Sequence, residues 1–119
     1  MMKVAIIGSR NLYVGDLEKY LPEGVEEIVS GGARGIDSCA REYARRNGIK
    51  LVEFLPDYNS YGRSAPILRN KDIVAYADVV LAFWDGESRG TKFVIDYAKQ
   101  LGKPVKIFKL LREDNPVPF

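Results

Sequence analysis

Five short apolar runs alternate with stretches of helical period along the chain, and that alternation leaves few folds open. Residues 4–7 run into Gly8, 26–29 into Ser30, 50–55 into Pro56 and 78–84 into Asp85-Gly86, while 105–110 follow Gly102-Lys103-Pro104. Brief apolar runs closed by such residues read as buried strands. Between them, Ile36, Ala40, Tyr43 and Ala44 share one helical stripe, with Arg41, Glu42, Arg45 and Arg46 opposite and Gly48 as the stop. Phe93, Val94, Tyr97, Ala98 and Leu101 repeat the pattern, closed by Gly102 and Pro104. Pro66 opens a third helix that runs to about Ala77, and residues 16–21 form a weaker one stopped by Pro22. Strands that alternate with helices pair in parallel through right-handed crossovers. The expected fold is therefore α/β: a single three-layer domain over residues 1–111, with a five-stranded parallel sheet in the order 3-2-1-4-5. Residues 112–119 carry two prolines and no periodicity, and read as a C-terminal extension, draped or disordered. Ligands of such sheets bind beyond the carboxyl ends of the strands, near the switch between strands 1 and 4.

Composition narrows the chemistry. The 119 residues suit one domain, and 46% hydrophobic content is enough for a core without staples. A single cysteine, Cys39, and the lack of a secretion signal or long apolar span point to a soluble cytoplasmic protein without disulfides or membrane contact. Histidine is absent, which removes Ser-His-Asp, Cys-His and His-zinc chemistry; no metal and no obligatory cofactor are expected. A formal net charge of +2 lends nucleic-acid binding little support.

Three polar loops fall at the ligand edge of this topology. In Gly8-Ser9-Arg10, Gly8 permits a sharp turn, Ser9 offers a hydroxyl and Arg10 a guanidinium suited to an anion, although an ordinary turn would read the same. The second loop, Ser30-Gly31-Gly32-Ala33-Arg34-Gly35-Ile36-Asp37, is a glycine-dense strand-to-helix turn. There, backbone N–H groups and the helix N-terminus suit phosphate. Ser30, Gly31 and Gly32 form the cradle, Gly35 allows close packing and Arg34 reaches an anionic group. Capping is the expected role of Asp37, ahead of catalysis. The third loop, Asp85-Gly86-Glu87-Ser88-Arg89-Gly90-Thr91, opens another helix, with Thr91 as cap or phosphate ligand. In the third helix Ile67, Asn70, Val74 and Ala77 share a face, so Asn70 is an amide on an apolar stripe that braces a loop or touches ligand. Arg69 points along the cleft or into solvent. Tyr58, Tyr61 and Arg63, in a loop after Pro56, and Trp84 at a strand end are either base-stacking or packing groups. Cys39 reads as a small hydrophobe. No G-x-G-x-x-G follows the first strand, no acidic residue ends the second, and no Walker pattern occurs, which argues against an NAD-dependent dehydrogenase.

Together, Gly8-Ser9-Arg10, Ser30 to Asp37, Arg69-Asn70 and Gly90-Thr91 resemble the SLOG superfamily. That group includes the Smf/DNA-processing protein A Rossmann domain, the lonely-guy (LOG) cytokinin-activating hydrolases and small nucleotide-binding proteins. The resemblance runs to about Gly102 and implies a Rossmann-like fold with a nucleotide-type ligand over the glycine loops. LOG hydrolases carry a helix arginine and then P-G-G-x-G-T-x-x-E. Arg69 corresponds to that arginine and Gly90-Thr91 to the G-T, whereas Val94 occupies the glutamate position and Asp85 to Arg89 replace the P-G-G portion. The missing carboxylate argues against the phosphoribohydrolase reaction, and Asp96 lies on another helical face. DNA-processing relatives have an S-G-x-A-x-G-I-D turn that Ser30 to Asp37 matches, but there the turn is followed by Ala-His, and here Ala40 precedes Arg41. LOG-type relatives are often dimers, so the resemblance implies a homodimer.

The leading expectation is a cytoplasmic binding domain for a nucleotide or nucleotide derivative. In it the backbone N–H groups of Gly31, Gly32 and Gly35, with Ser9, Ser30 and Thr91, hold phosphate, Arg10, Arg34 and Arg69 offset its charge, Asp37 and Asn70 brace the loops, and Gly8, Asp85 and Gly90 complete the ligand site. One alternative is a nucleotide N-glycosidic hydrolase drawing its carboxylate from Asp37, Asp85 or Glu87. The other is a single-stranded DNA binder using Arg34, Arg41, Arg45 and Tyr58.

Overall fold

The computed structural model describes residues 2–110; the expected extension at 112–119 lies outside them. In chain order the elements are β1 (Met2–Gly8), a 3-10 turn (Leu17–Lys19), β2 (Val25–Ser30), α1 (Ile36–Asn47), β3 (Lys50–Glu53) and α2 (Tyr58–Tyr61). A second 3-10 turn (Gly62–Ser64) leads into α3 (Ala65–Tyr76), β4 (Val79–Trp84), α4 (Arg89–Gln100) and β5 (Val105–Lys109). The strands form one sheet in the order β3-β2-β1-β4-β5, with every pairing parallel, as the alternation of strands and helices requires. β1 is central: Val4 lies opposite Ile28 of β2 and Val79 of β4, and Gly8 opposite Phe83.

Period-2 alternation sends the strand side chains to two cores. Ala5, Ile7, Val29, Val80 and Ala82 pack under α3 and α4, against Ile73, Val74, Val94, Ile95 and Ala98. Val4, Ile6, Ile28, Leu81 and Phe83 pack on the other side against Ile36, Ala40 and Ala44 of α1, with Leu12 and Leu17 closing the layer. The Phe83 ring meets Tyr20 edge-on and stacks on Phe108. Gly48 ends α1 in the left-handed region, at φ 62°.

Four local expectations need correction. In α4 the buried stripe is Thr91, Val94, Ile95 and Ala98, one position round from the expected face, and Leu101 is 44% exposed. In α3 Ile67 is 47% exposed, because Pro66, Arg69, Asn70 and Ile73 border a cleft and only Ala65, Ile73 and Val74 are buried. The helix at 16–21 is a single turn pinned by Leu17, too short to propagate. The segment at 58–61, expected as a loop, is one helical turn whose Ser60 N–H donates to the Asp57 carboxylate at 3.1 Å.

Gly8 shows how tightly the sheet edge is built. A Cβ there would lie 2.5 Å from the Phe83 carbonyl oxygen and 2.6 Å from a side-chain carbon of Ile36. Backbone cannot yield as a flexible side chain does, so Gly8→Ala should cost about 1–3 kcal/mol in a denaturant titration. Gly15→Ala, where nothing lies within 4 Å, should be close to neutral by the same measurement.

Candidate functional site

The carboxyl ends of the central strands open on a cleft of about 640 Å³. The order of the sheet makes it: β1 and β4 are neighbours, but their chains leave toward opposite faces, so the loops after them diverge. The loops after β2 and β4 each lead into a helix, and the first turns of α1 and α4 both reach the rim, with Asp37 from one and Gly90 and Thr91 from the other. A first turn leaves N–H groups without intrahelical partners and carries partial positive charge.

The glycine turn is held from both sides. Gly35, at φ 74°, lies so close to the loop after β1 that a Cβ would sit 2.5 Å from the Arg10 carbonyl oxygen. The Ala33 N–H donates to Asp37 Oδ2 at 3.1 Å, so Asp37 braces the turn ahead of the helix rather than capping it; the N-cap of α1 is Gly35, with no side-chain cap. The Gly32 N–H donates to Ser30 Oγ at 3.3 Å. Arg69 of α3 enters from the opposite wall: its Nη1 donates to the Gly31 carbonyl at 2.6 Å and to the Phe54 carbonyl at 3.3 Å, and its Nε to Asn70 Oδ1 at 2.9 Å. One guanidinium thus ties α3 to the ends of β2 and β3.

The loop after β4 is organised the same way. Asp85 Oδ1 accepts the N–H groups of Glu87 and Ser88, each at 2.8 Å, and the Asp85 N–H donates to the buried Ser9 hydroxyl at 3.2 Å. Ser88, rather than Thr91, caps α4 by accepting the Thr91 N–H at 3.3 Å. The Thr91 hydroxyl lies 3.1 Å from that of Ser88. The Trp84 indole donates to the Ser88 carbonyl at 3.0 Å, a packing role.

Eleven of the fourteen expected site residues border the cleft: Gly8, Ser9, Arg10, Gly31, Arg34, Asp37, Arg69, Asn70, Asp85, Gly90 and Thr91. The other three do not. Ser30 is fully buried beneath the turn, Gly35 packs behind it, and Gly32 faces a second recess floored by Leu55 and Pro56. Asn11, Tyr13, Ser88 and Val94 also border the cleft and were not singled out as site residues from sequence. Asn11 had a signal, being the next polar residue after Gly8-Ser9-Arg10. Tyr13 had none, since the distance from strand to aromatic depends on how the loop bends. Arg10 and Arg34 are exposed, and among the described residues neither forms an ion pair, in contrast to Arg41, Arg45 and Arg46, which pair with Glu53 and Glu42.

The comparisons with known proteins fit this geometry. Residues 2–61 match the family described as YAcAr: YspA, cpYpsA-related SLOG family. The chain belongs to this SLOG family. The matched segment carries the loop after β1 and the whole glycine turn. Among curated proteins, this SLOG chain is 40% identical over 84 residues to the Gene 61 protein of Mycobacterium phage D29, covering 66% of the chain and 67% of that relative. Among solved structures, it matches DNA processing protein A (DprA) from Streptococcus pneumoniae with a TM-score of 0.68 at 22% identity, over 90% of the chain. The SLOG chain spans half the length of that DprA chain, and the likeness is one of fold.

The two cleft carboxylates are driven in opposite directions. Burial pushes the Asp37 carboxyl above its ordinary value of 3.8, only partly offset by the Ala33 N–H and the Arg69 charge. Burial also acts upward on Asp85, but the Ser88 and Glu87 amides, Ser9 and Asn11 outweigh it and hold that carboxyl below the ordinary value. The folded protein therefore holds the Asp37 proton more tightly than the unfolded chain, and that stability is present below pH 3.8 and is lost as pH rises through the folded value. Asp85 contributes stability above the ordinary value that is lost as pH falls through its lower folded value. In urea titrations across pH, Asp37→Asn should gain on the wild type as pH rises from about 4, and Asp85→Asn should gain on it as pH falls below about 4.

Proposed function

We propose that this SLOG domain binds a nucleotide or nucleotide derivative in the cytoplasm, with the phosphate seated between the first turns of α1 and α4. The observation that carries the reading is the convergence of those two helix N-termini with Arg10, Arg34 and Arg69 on one cleft. Family membership supports a nucleotide- or DNA-related role at that level. Arg69 is committed to backbone carbonyls and offers its charge from the wall, while Arg10 and Arg34 have their guanidinium groups unpaired by any described carboxylate. Tyr13, which borders the cleft, is better placed to meet a base than Tyr58 or Trp84, which do not.

Binding is favoured over N-glycosidic hydrolysis by the cleft itself. Val94 puts an apolar group at the position where the resemblance to LOG hydrolases places a glutamate. Asp37 and Asp85 are both engaged in holding their own loops. A single-stranded DNA surface along α1 has less support, because Arg41 and Arg45 are paired with Glu53 and Glu42.

A panel of nucleoside mono- and diphosphates at millimolar concentration should include at least one that raises Tm by about 5 °C. Arg10→Ala and Arg34→Ala should each weaken its binding by about tenfold in calorimetric titrations without lowering the Tm of the free protein. No shift with any member of the panel would contradict the reading.

A further inference from the structure

The cleft has a neighbour. A second recess, lined by Gly32, Leu55 and Pro56, shares Arg10, Gly31, Ala33, Arg34 and Arg69 with the first. The ridge between the two is therefore the glycine turn together with the guanidinium groups around it. One side of the ridge is the polar cleft at the helix N-termini, and the other ends on an apolar floor.

That floor is fixed in place. Leu55 packs directly on Gly32, where a Cβ would lie 2.5 Å from a Leu55 methyl carbon, and Gly32 itself has φ 71°. Arg41 braces the turn from outside: its Nη2 donates to the Gly32 carbonyl at 3.3 Å and its Nε to Glu53 at 3.0 Å. Pro56 restricts the backbone that follows. Leu55 nevertheless remains 66% exposed, the highest value among the large apolar side chains described. A lone exposed leucine is ordinary. This one sits at the foot of a ridge carrying two exposed arginines that pair with no described carboxylate.

From this juxtaposition we infer that the ligand is two-armed: a nucleotide whose phosphate crosses the ridge and carries a second nucleoside over Leu55 and Pro56. The inference rests on the nucleotide reading of the main cleft and extends it. A monophosphate would occupy the cleft and leave the second recess in water. A bridging phosphate keeps the same contacts with the ridge and buries the face of a second ring system on the leucine, which adds apolar burial and converts the second contact into an intramolecular one. Both a 5′,5′-pyrophosphate bridge and a 3′,5′-phosphodiester bridge have this chemistry.

Calorimetric titration of the full chain and of Leu55→Ser tests the inference. Three probe sets are needed: the nucleoside 5′-monophosphates of the four bases, the matching 5′,5′-pyrophosphate-linked dinucleosides, and the matching 5′-phosphorylated 3′,5′-dinucleotides. The exposure of Leu55 keeps the substitution close to neutral for folding, which the Tm of the free variant checks. The wild type should bind at least one bridged set about tenfold more tightly than the monophosphates, and the linkage that gains identifies the bridge. In Leu55→Ser the monophosphate affinity should be unchanged and most of the tenfold gain lost. Monophosphates that bind as tightly as both bridged sets would overturn the two-armed ligand and leave the nucleotide reading standing. So would a gain that survives intact in Leu55→Ser. No binding by any of the three sets would overturn both.

Discussion

Two backbone contacts that only glycine permits set the rest of this molecule. Gly8 brings the end of β1 onto the Phe83 carbonyl and the Ile36 side chain, and Gly35 brings the start of α1 onto the Arg10 carbonyl. The loop after β1 and the first turn of α1 are thereby pressed together. Since β1 also pairs with β4, the same approach brings the loop after β4 into reach, and Ser9 closes the join by accepting the Asp85 N–H. A parallel sheet supplies the edge; these contacts turn three loops at that edge into one wall.

Within the wall the loops satisfy their own and one another's backbone groups. Asp37 and Ser30 each take an N–H of the glycine turn, Asp85 takes two from its own loop, and Arg69 supplies charge to the carbonyls that face the other way. Among the described residues no buried side-chain nitrogen or oxygen lacks a partner. A cup built this way is held in shape by its own hydrogen bonds, so a ligand seated in it would cost little ordering of the loops. What borders the cleft are groups suited to an anion: the first turns of two helices and the guanidinium groups of Arg10 and Arg34.

Much of this was legible in the sequence. Strand order follows from the alternation of runs and the handedness of crossovers, and the helix stripe at Ile36, Ala40 and Ala44 is plain from its period. The glycine turn marked the edge where the cleft opens, because its residues are ones that ordinary connections do not need. Roles within the turn were less legible. Ser30 is a phosphate ligand by type, but its last-strand position buries it under the turn, and only the fold decides that. The face of α3 was misread because a helix bordering a cleft has two environments, and a single apolar period cannot describe both. Tyr13 and Leu55 carried no local signal at all, since each matters only through what lies across from it. Val94 is the reverse case: the sequence singled it out through a resemblance, and the structure puts it beside the cleft.

The most direct measurement is an amide chemical-shift titration of the isotopically labelled protein with a nucleoside monophosphate that binds in the thermal panel. The N–H signals of Arg34 and Asp37, which flank the start of α1, and of Arg89 and Gly90 at the first turn of α4, should move together and saturate at one ligand concentration. Shifts confined to one of the two helix starts, or to surfaces away from both, would contradict the account.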